Sequence, residues 1–169
     1  MIKFILTNII VVGFLIITSP ILLICYFLRM KWPEKIDYFQ LRMVQAAFKL
    51  CLFTSGVKVT VIGEENVPTD RAVLYVGNHT SFYDILLTYS RVKRLTGFVA
   101  KVSMKKMPLL NIWMSRLHCL FLDRDNMKDA LKMILDAINK IKSGISIFIF
   151  PEGTRAKDPD IMGEFKEIS

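Results

Sequence analysis

The chain has 169 residues and a mass of 19.5 kDa, enough for one domain or one domain with an appendage. At 53% hydrophobic residues and mean hydropathy +0.40 it is too apolar to be disordered, yet 22% charged residues must face water or lipid headgroups. A formal net charge of +8 favours anionic partners: nucleic acid, an acidic membrane surface or phosphorylated substrates.

Between Lys3 and Arg29 there is no charged residue, and Phe4–Leu28 is dominated by Ile, Leu, Val and Phe. As one helix the run would be roughly 37 Å long at about 1.5 Å per residue. That is enough to span a hydrocarbon core of about 30 Å with tilt or bend. Thr18-Ser19-Pro20 predicts a kink within it, and a helix that dips into one leaflet and returns is the other possibility. The run is long and has no small-residue cleavage site before the next charges, which favours a retained anchor over a signal peptide. Arg29, Lys31 and Lys35 follow the run and only Lys3 precedes it, so the remainder is expected on the cytoplasmic side of the cell membrane.

Ile36–Phe53 reads as a second helix, with Phe39, Met43, Ala46, Ala47 and Leu50 at helical spacing. It is either core or packed on the first helix and partly in the bilayer. The N-terminal segment is thus residues 1–54, and the globular part residues 55–169.

The globular part alternates strands and helices. Val57–Ile62 reads as a strand ended by Gly63, Ala72–Val76 as a second and Phe82–Tyr89 as a short helix. Gly97–Ala100 is strand-like, Pro108–Arg116 helical and Cys119–Leu122 a brief strand. Met127–Lys142 is an amphipathic helix with Ala130, Met133, Ile134, Ala137, Ile138 and Ile141 on one face. Gly144 stops it, and Ile145–Phe150 follows as an apolar strand. The order predicts an α/β fold: a mostly parallel sheet flanked by helices, with an N-terminal membrane-associated helical segment. Ligands of such sheets bind beyond the carboxyl ends of the strands, so the residues after Val76, Ala100, Leu122 and Phe150 should converge.

Two of those ends carry chemistry. After Val76 comes Gly77-Asn78-His79-Thr80-Ser81-Phe82-Tyr83-Asp84. On one continuous helix His79 and Asp84 would point about 140° apart, at about 100° per residue. They meet only if His79 lies in the turn and Asp84 in the first helical turn, an arrangement that Ser81 as N-cap allows. Asp84 then fixes the imidazole tautomer, and the other ring nitrogen takes a proton from a hydroxyl that the acceptor itself brings. The alternative is local: Ser81-Phe82-Tyr83-Asp84 resembles a capping box. After Phe150 comes Pro151-Glu152-Gly153-Thr154-Arg155, either a phosphate-holding turn or an ordinary turn with a Glu152–Arg155 ion pair.

Together, Asn-His-x-x-x-x-Asp at Asn78–Asp84 and Phe-Pro-Glu-Gly-Thr-Arg at Phe150–Arg155 resemble the glycerolipid acyltransferase family, and most closely its 1-acyl-sn-glycerol-3-phosphate acyltransferase branch. Ala100-Lys101 with Pro108 is similar to the family's Lys-x-Glu-Leu-x-x-x-Pro segment, and Phe121-Leu122-Asp123-Arg124 to its strand ending in Asp-Arg. The resemblance covers about residues 57–167 in order. It implies acyl transfer from acyl-CoA or acyl carrier protein to the free hydroxyl of lysophosphatidate, giving phosphatidate at a membrane. His79 would be the general base and Asp84 its orienter. Lys101, Arg124 and Glu152, Gly153, Thr154 and Arg155 would surround the acceptor's phosphate. No metal or tightly bound cofactor is implied. Ser103-Met104 stands in place of the family's Glu-Leu, and Asn111 where glycine is common. Gly163–Glu167 is similar to the start of a Phe-Lys-x-Gly segment, but Ile168 replaces the glycine. The family's Pro-containing fourth block does not follow, so the domain is expected to be incomplete, with an exposed sheet edge.

From Ile85 through Leu122 there is no Asp or Glu, while Arg91, Lys93, Arg94, Lys101, Lys105, Lys106 and Arg116 all fall there. This suits an anionic lipid surface or an acidic carrier; without a helix-turn-helix, zinc or RNP-type motif, no nucleic-acid partner is expected. Cys25, Cys51 and Cys119 are odd in number and unpaired in spacing, which argues against disulfides and zinc. The competing functions are transfer to another lysophospholipid, a non-catalytic lipid-binding remnant and, lacking a G-x-S-x-G elbow around Ser81, a hydrolase.

Overall fold

The computed structural model describes residues 2–153. Thr154, Arg155 and Gly163–Glu167, for which roles or resemblances were expected, therefore lie outside the described residues. Helix α1 (Ile2–Ile17) and α2 (Ser19–Arg29) form the first apolar run, bent by 49° at the predicted Thr18-Ser19-Pro20 break. Pro20 has no N–H to offer the Ile16 carbonyl, and the Ser19 hydroxyl donates to that carbonyl instead, at 2.8 Å. Thr18 Oγ1 likewise donates to the Phe14 carbonyl at 2.6 Å. No single helix among the described residues is long and apolar enough to cross a membrane; the bent pair is, by length and composition.

Helix α3 (Pro33–Ser55) packs against α1, α2 and α4 (Tyr83–Tyr89). Its buried Leu41 and Val44 belong to one cluster with Leu22 of α2 and with Tyr89, Val92, Phe98, Trp113, Leu117 and Phe148. The N-terminal helices and the sheet thus share a core. A Thr7–Ser55–Tyr83 chain of hydroxyls, each step 3.0 Å, also joins α1, α3 and α4.

Four strands, β1 (Leu74–Val76), β2 (Thr96–Lys101), β3 (Leu120–Leu122) and β4 (Ser146–Ile149), form one parallel sheet in the order β1-β4-β2-β3. Helices α5 (Leu110–Arg116) and α6 (Met127–Lys142) make the remaining crossovers. The α/β expectation holds, with parallel strands and intervening helices. Val57–Ile62 is the exception: it forms no strand. A strand needs a ladder partner, and among the described residues β1 pairs only with β4, so the run lies open with Ile62 91% exposed. Helix α6 buries less than its pattern promises. Ala130 is buried, whereas Leu131, Ile134, Leu135 and Ile138 face outward.

Candidate active site

Parallel register brings the four strand ends to one edge of the sheet: Val76 lies opposite Ile149, Lys101 opposite Leu122, and Phe98 opposite Phe148. His79 follows β1, Lys101 ends β2, Arg124 follows β3, and Glu152 and Gly153 follow β4.

His79 lies in the turn before α4 and Asp84 in that helix's first turn, as their spacing requires. His79 Nδ1 is 3.0 Å from Asp84 Oδ2, with both side chains less than one-fifth exposed. The same carboxylate oxygen accepts the backbone N–H of Thr80 at 2.7 Å and of Ser81 at 2.8 Å. The Ser81 hydroxyl in turn accepts the N–H of Tyr83 at 3.2 Å. The N-cap of α4 is Phe82, not Ser81, and it makes no side-chain cap bond, so the segment is not a capping box; the two turn N–H groups still fix the Asp84 carboxylate where the imidazole meets it. A carboxylate accepts only, so Nδ1 carries a proton, and in the neutral ring the lone pair is on Nε2.

Glu152 is buried, at 3% exposure, and its Oε2 accepts the backbone N–H of His79 at 3.3 Å. The structure places it behind the base rather than open to solvent. Gly153 adopts φ +69°, and a Cβ there would lie 2.8 Å from Arg124 Nη1, so the guanidinium rests directly on this turn. Lys101 is exposed at the same edge. The structure thus joins His79 with Asp84 and Glu152, and Arg124 with Gly153.

The expected basic surface divides in two. Lys101, Lys105 and Lys106 lie at or just after the carboxyl end of β2. Arg91 and Arg94 lie at the opposite end, where Arg91 pairs with Glu64 and Arg94 donates to the carbonyls of Thr69 and Gly144.

Sequence reasoning missed Phe150. Its ring stacks on the His79 imidazole with centroids 4.4 Å apart and planes 22° apart. The signal was the alternation in β4: Phe148 and Phe150, two apart, share a face of the sheet. Gly77 makes room for Phe148, since a Cβ there would meet that ring at 2.9 Å.

Comparison with known proteins agrees with this geometry. The family described as Acyltransferase matches residues 58–167. The chain is 33% identical over 118 residues to a 1-acyl-sn-glycerol-3-phosphate acyltransferase of Borreliella burgdorferi, covering 70% of this chain and 47% of that protein. It is 34% identical over 140 residues to a probable enzyme of the same name from Mycoplasma pneumoniae, covering 80% and 50%. The crystal structure of the 1-acyl-sn-glycerophosphate acyltransferase PlsC from Thermotoga maritima superposes with a TM-score of 0.80 at 30% identity, covering 98% of this chain and 65% of that one. The chain spans about half the length of the curated relatives it matches. With the family match over most of its length and the histidine–aspartate pair in place, the chain belongs to the acyltransferase family.

Proposed function

We propose that the protein transfers a fatty acyl group from a thioester donor, acyl-CoA or acyl carrier protein, to the free hydroxyl of 1-acyl-sn-glycerol 3-phosphate. The product is phosphatidate. The observation that carries this reading is the 3.0 Å contact of His79 Nδ1 with Asp84 Oδ2, which leaves Nε2 as acceptor. Nε2 takes the hydroxyl proton as the oxygen attacks the thioester carbonyl. The imidazolium formed is held by Asp84. Collapse of the tetrahedral intermediate breaks the carbon–sulfur bond, and the departing thiolate takes the proton back. These steps need only the two side chains and the two substrates.

Lys101, Arg124 and Arg155, with Gly153 and Thr154, are assigned to the acceptor's phosphate. The guanidinium of Arg124 against Gly153 supports that assignment, as do the names of the relatives. The outward faces of α1 and α2, including Phe4, Ile9, Ile16, Leu23 and Phe27, are at least half exposed and apolar, which supports their burial in lipid. The chain then sits on the cytoplasmic face of the cell membrane with its strand ends near the headgroups. Acylation of labelled lysophosphatidate by the full chain in detergent tests the function. Phosphatidate formed from acyl-CoA or acyl carrier protein supports it, and turnover only with a different lysophospholipid overturns the choice of acceptor.

A further inference from the structure

We infer that Phe150 and Glu152, two residues of the loop after β4, are positioning residues that hold His79 from behind, Phe150 through its ring and Glu152 through its backbone. This rests on the proposed reaction only for its kinetic consequence.

The aromatic rings of the sheet form a continuous row. Tyr75 of β1, Phe148 of β4 and Phe98 of β2 are register neighbours, and the Phe148 ring stacks on Tyr75 at 5.7 Å and on Phe98 at 4.8 Å. Phe150 is one pleat further along the same face, 4.9 Å from Phe148, and the imidazole lies 4.4 Å beyond it. A ring wedged between a packed aromatic and the imidazole leaves the latter one plane in which to lie. Nδ1–H donation to Asp84 fixes rotation within that plane. The third restraint is the hydrogen bond from His79 N–H to the buried Glu152 carboxylate, which ties the turn to β4. The stacked face also favours the imidazolium formed when the base takes its proton, because an aromatic face attracts a cation. Glu152 is buried, with Oε2 on the His79 N–H and Oε1 without a partner among the described residues, so it is poorly placed to meet a phosphate, which it would repel.

Two readouts test this in the full chain. The chain has two histidines, His79 and His118, so the His79 ring-proton NMR signals are those lost in His79→Gln. Stacking on Phe150 should hold them upfield in the wild type and in Phe150→Tyr, and release them downfield in Phe150→Leu, with His118 unmoved. In kinetics, Phe150→Leu should lower kcat by about tenfold or more through misplacement of the base. Its KM for lysophosphatidate should stay within about twofold, because nothing touching substrate is removed. Phe150→Tyr should recover most of the loss. Glu152→Gln keeps an acceptor for the N–H and should lose much less kcat than Glu152→Ala. Unmoved His79 signals in Phe150→Leu overturn the role of Phe150. Equal losses in Glu152→Gln and Glu152→Ala, borne in KM, make Glu152 a substrate ligand and overturn its role. Should the wild type not acylate lysophosphatidate, the proposed reaction fails, while the ring signals still decide the positioning of His79.

Discussion

His79 and Asp84 are tied by one oxygen that also accepts two backbone N–H groups. In Asp84→Asn the amide oxygen can still accept the two backbone N–H groups, but the charge that holds the imidazolium is lost. We expect kcat for acyl transfer to fall by at least about a hundredfold, with far-UV circular dichroism unchanged. A second charged cluster lies away from the chemistry. Buried Asp37 of α3 accepts from Arg29 Nε at 2.6 Å and from His118 Nε2 at 2.9 Å, clamping α2, α3 and the turn before β3 together. Burial opposes the Asp37 charge, but hydrogen bonds from His118 and Arg29 outweigh it and hold the carboxyl below its ordinary value of 3.8. A depressed folded-state value stabilises the fold above the unfolded-state value, and that contribution is lost as pH falls through the folded one. Resistance to urea unfolding should therefore fall below about pH 4. Asp37→Asn should remove that component and cost about 2 kcal/mol near neutrality, less than a fully buried pair because Arg29 is one-third exposed.

At the scale of elements, α6 begins where Asn126 Oδ1 accepts the N–H groups of Lys128 and Asp129, at 3.1 and 3.3 Å. Asn126→Ala should cost about 1 kcal/mol in urea unfolding and leave kcat alone. This helix was legible to the residue, Met127–Lys142, because cap, period and stop glycine agree. The kink at Thr18–Pro20 was legible for the same reason: a missing N–H and two competing hydroxyls stand together. Val57–Ile62 was misread because β-branched composition describes a strand but cannot supply its partner. In the site, His79 and Asp84 were readable since the constraint is local, five residues within one turn. Phe150 was not, since its contact with His79 arises from the pairing of β1 with β4, more than seventy residues apart in sequence. For Glu152 the residue was identified, but its burial against the His79 N–H depends on the same pairing.

At the scale of the whole molecule, apolar helices and the site belong to one packed body, through the shared core and the Thr7–Ser55–Tyr83 hydroxyl chain that ends beside Asp84. On the proposed membrane orientation, the exposed faces of α1 and α2 carry the chain onto lipid. Replacing Ile9 and Phe27 with Asp should weaken sedimentation with phosphatidylglycerol vesicles by about tenfold or more, given about 1.5–3 kcal/mol for each large apolar side chain buried. Replacing Lys101, Lys105 and Lys106 with Gln should instead reduce the salt sensitivity of binding. Unchanged vesicle binding in both variants would place the membrane contact elsewhere. The most direct test of the central claim is turnover of labelled 1-acyl-sn-glycerol 3-phosphate by purified wild type and by His79→Ala under identical acyl donor. Transfer to His79 Nε2 predicts phosphatidate from the wild type and a loss of at least about a thousandfold in the variant. Equal turnover by the two would contradict it.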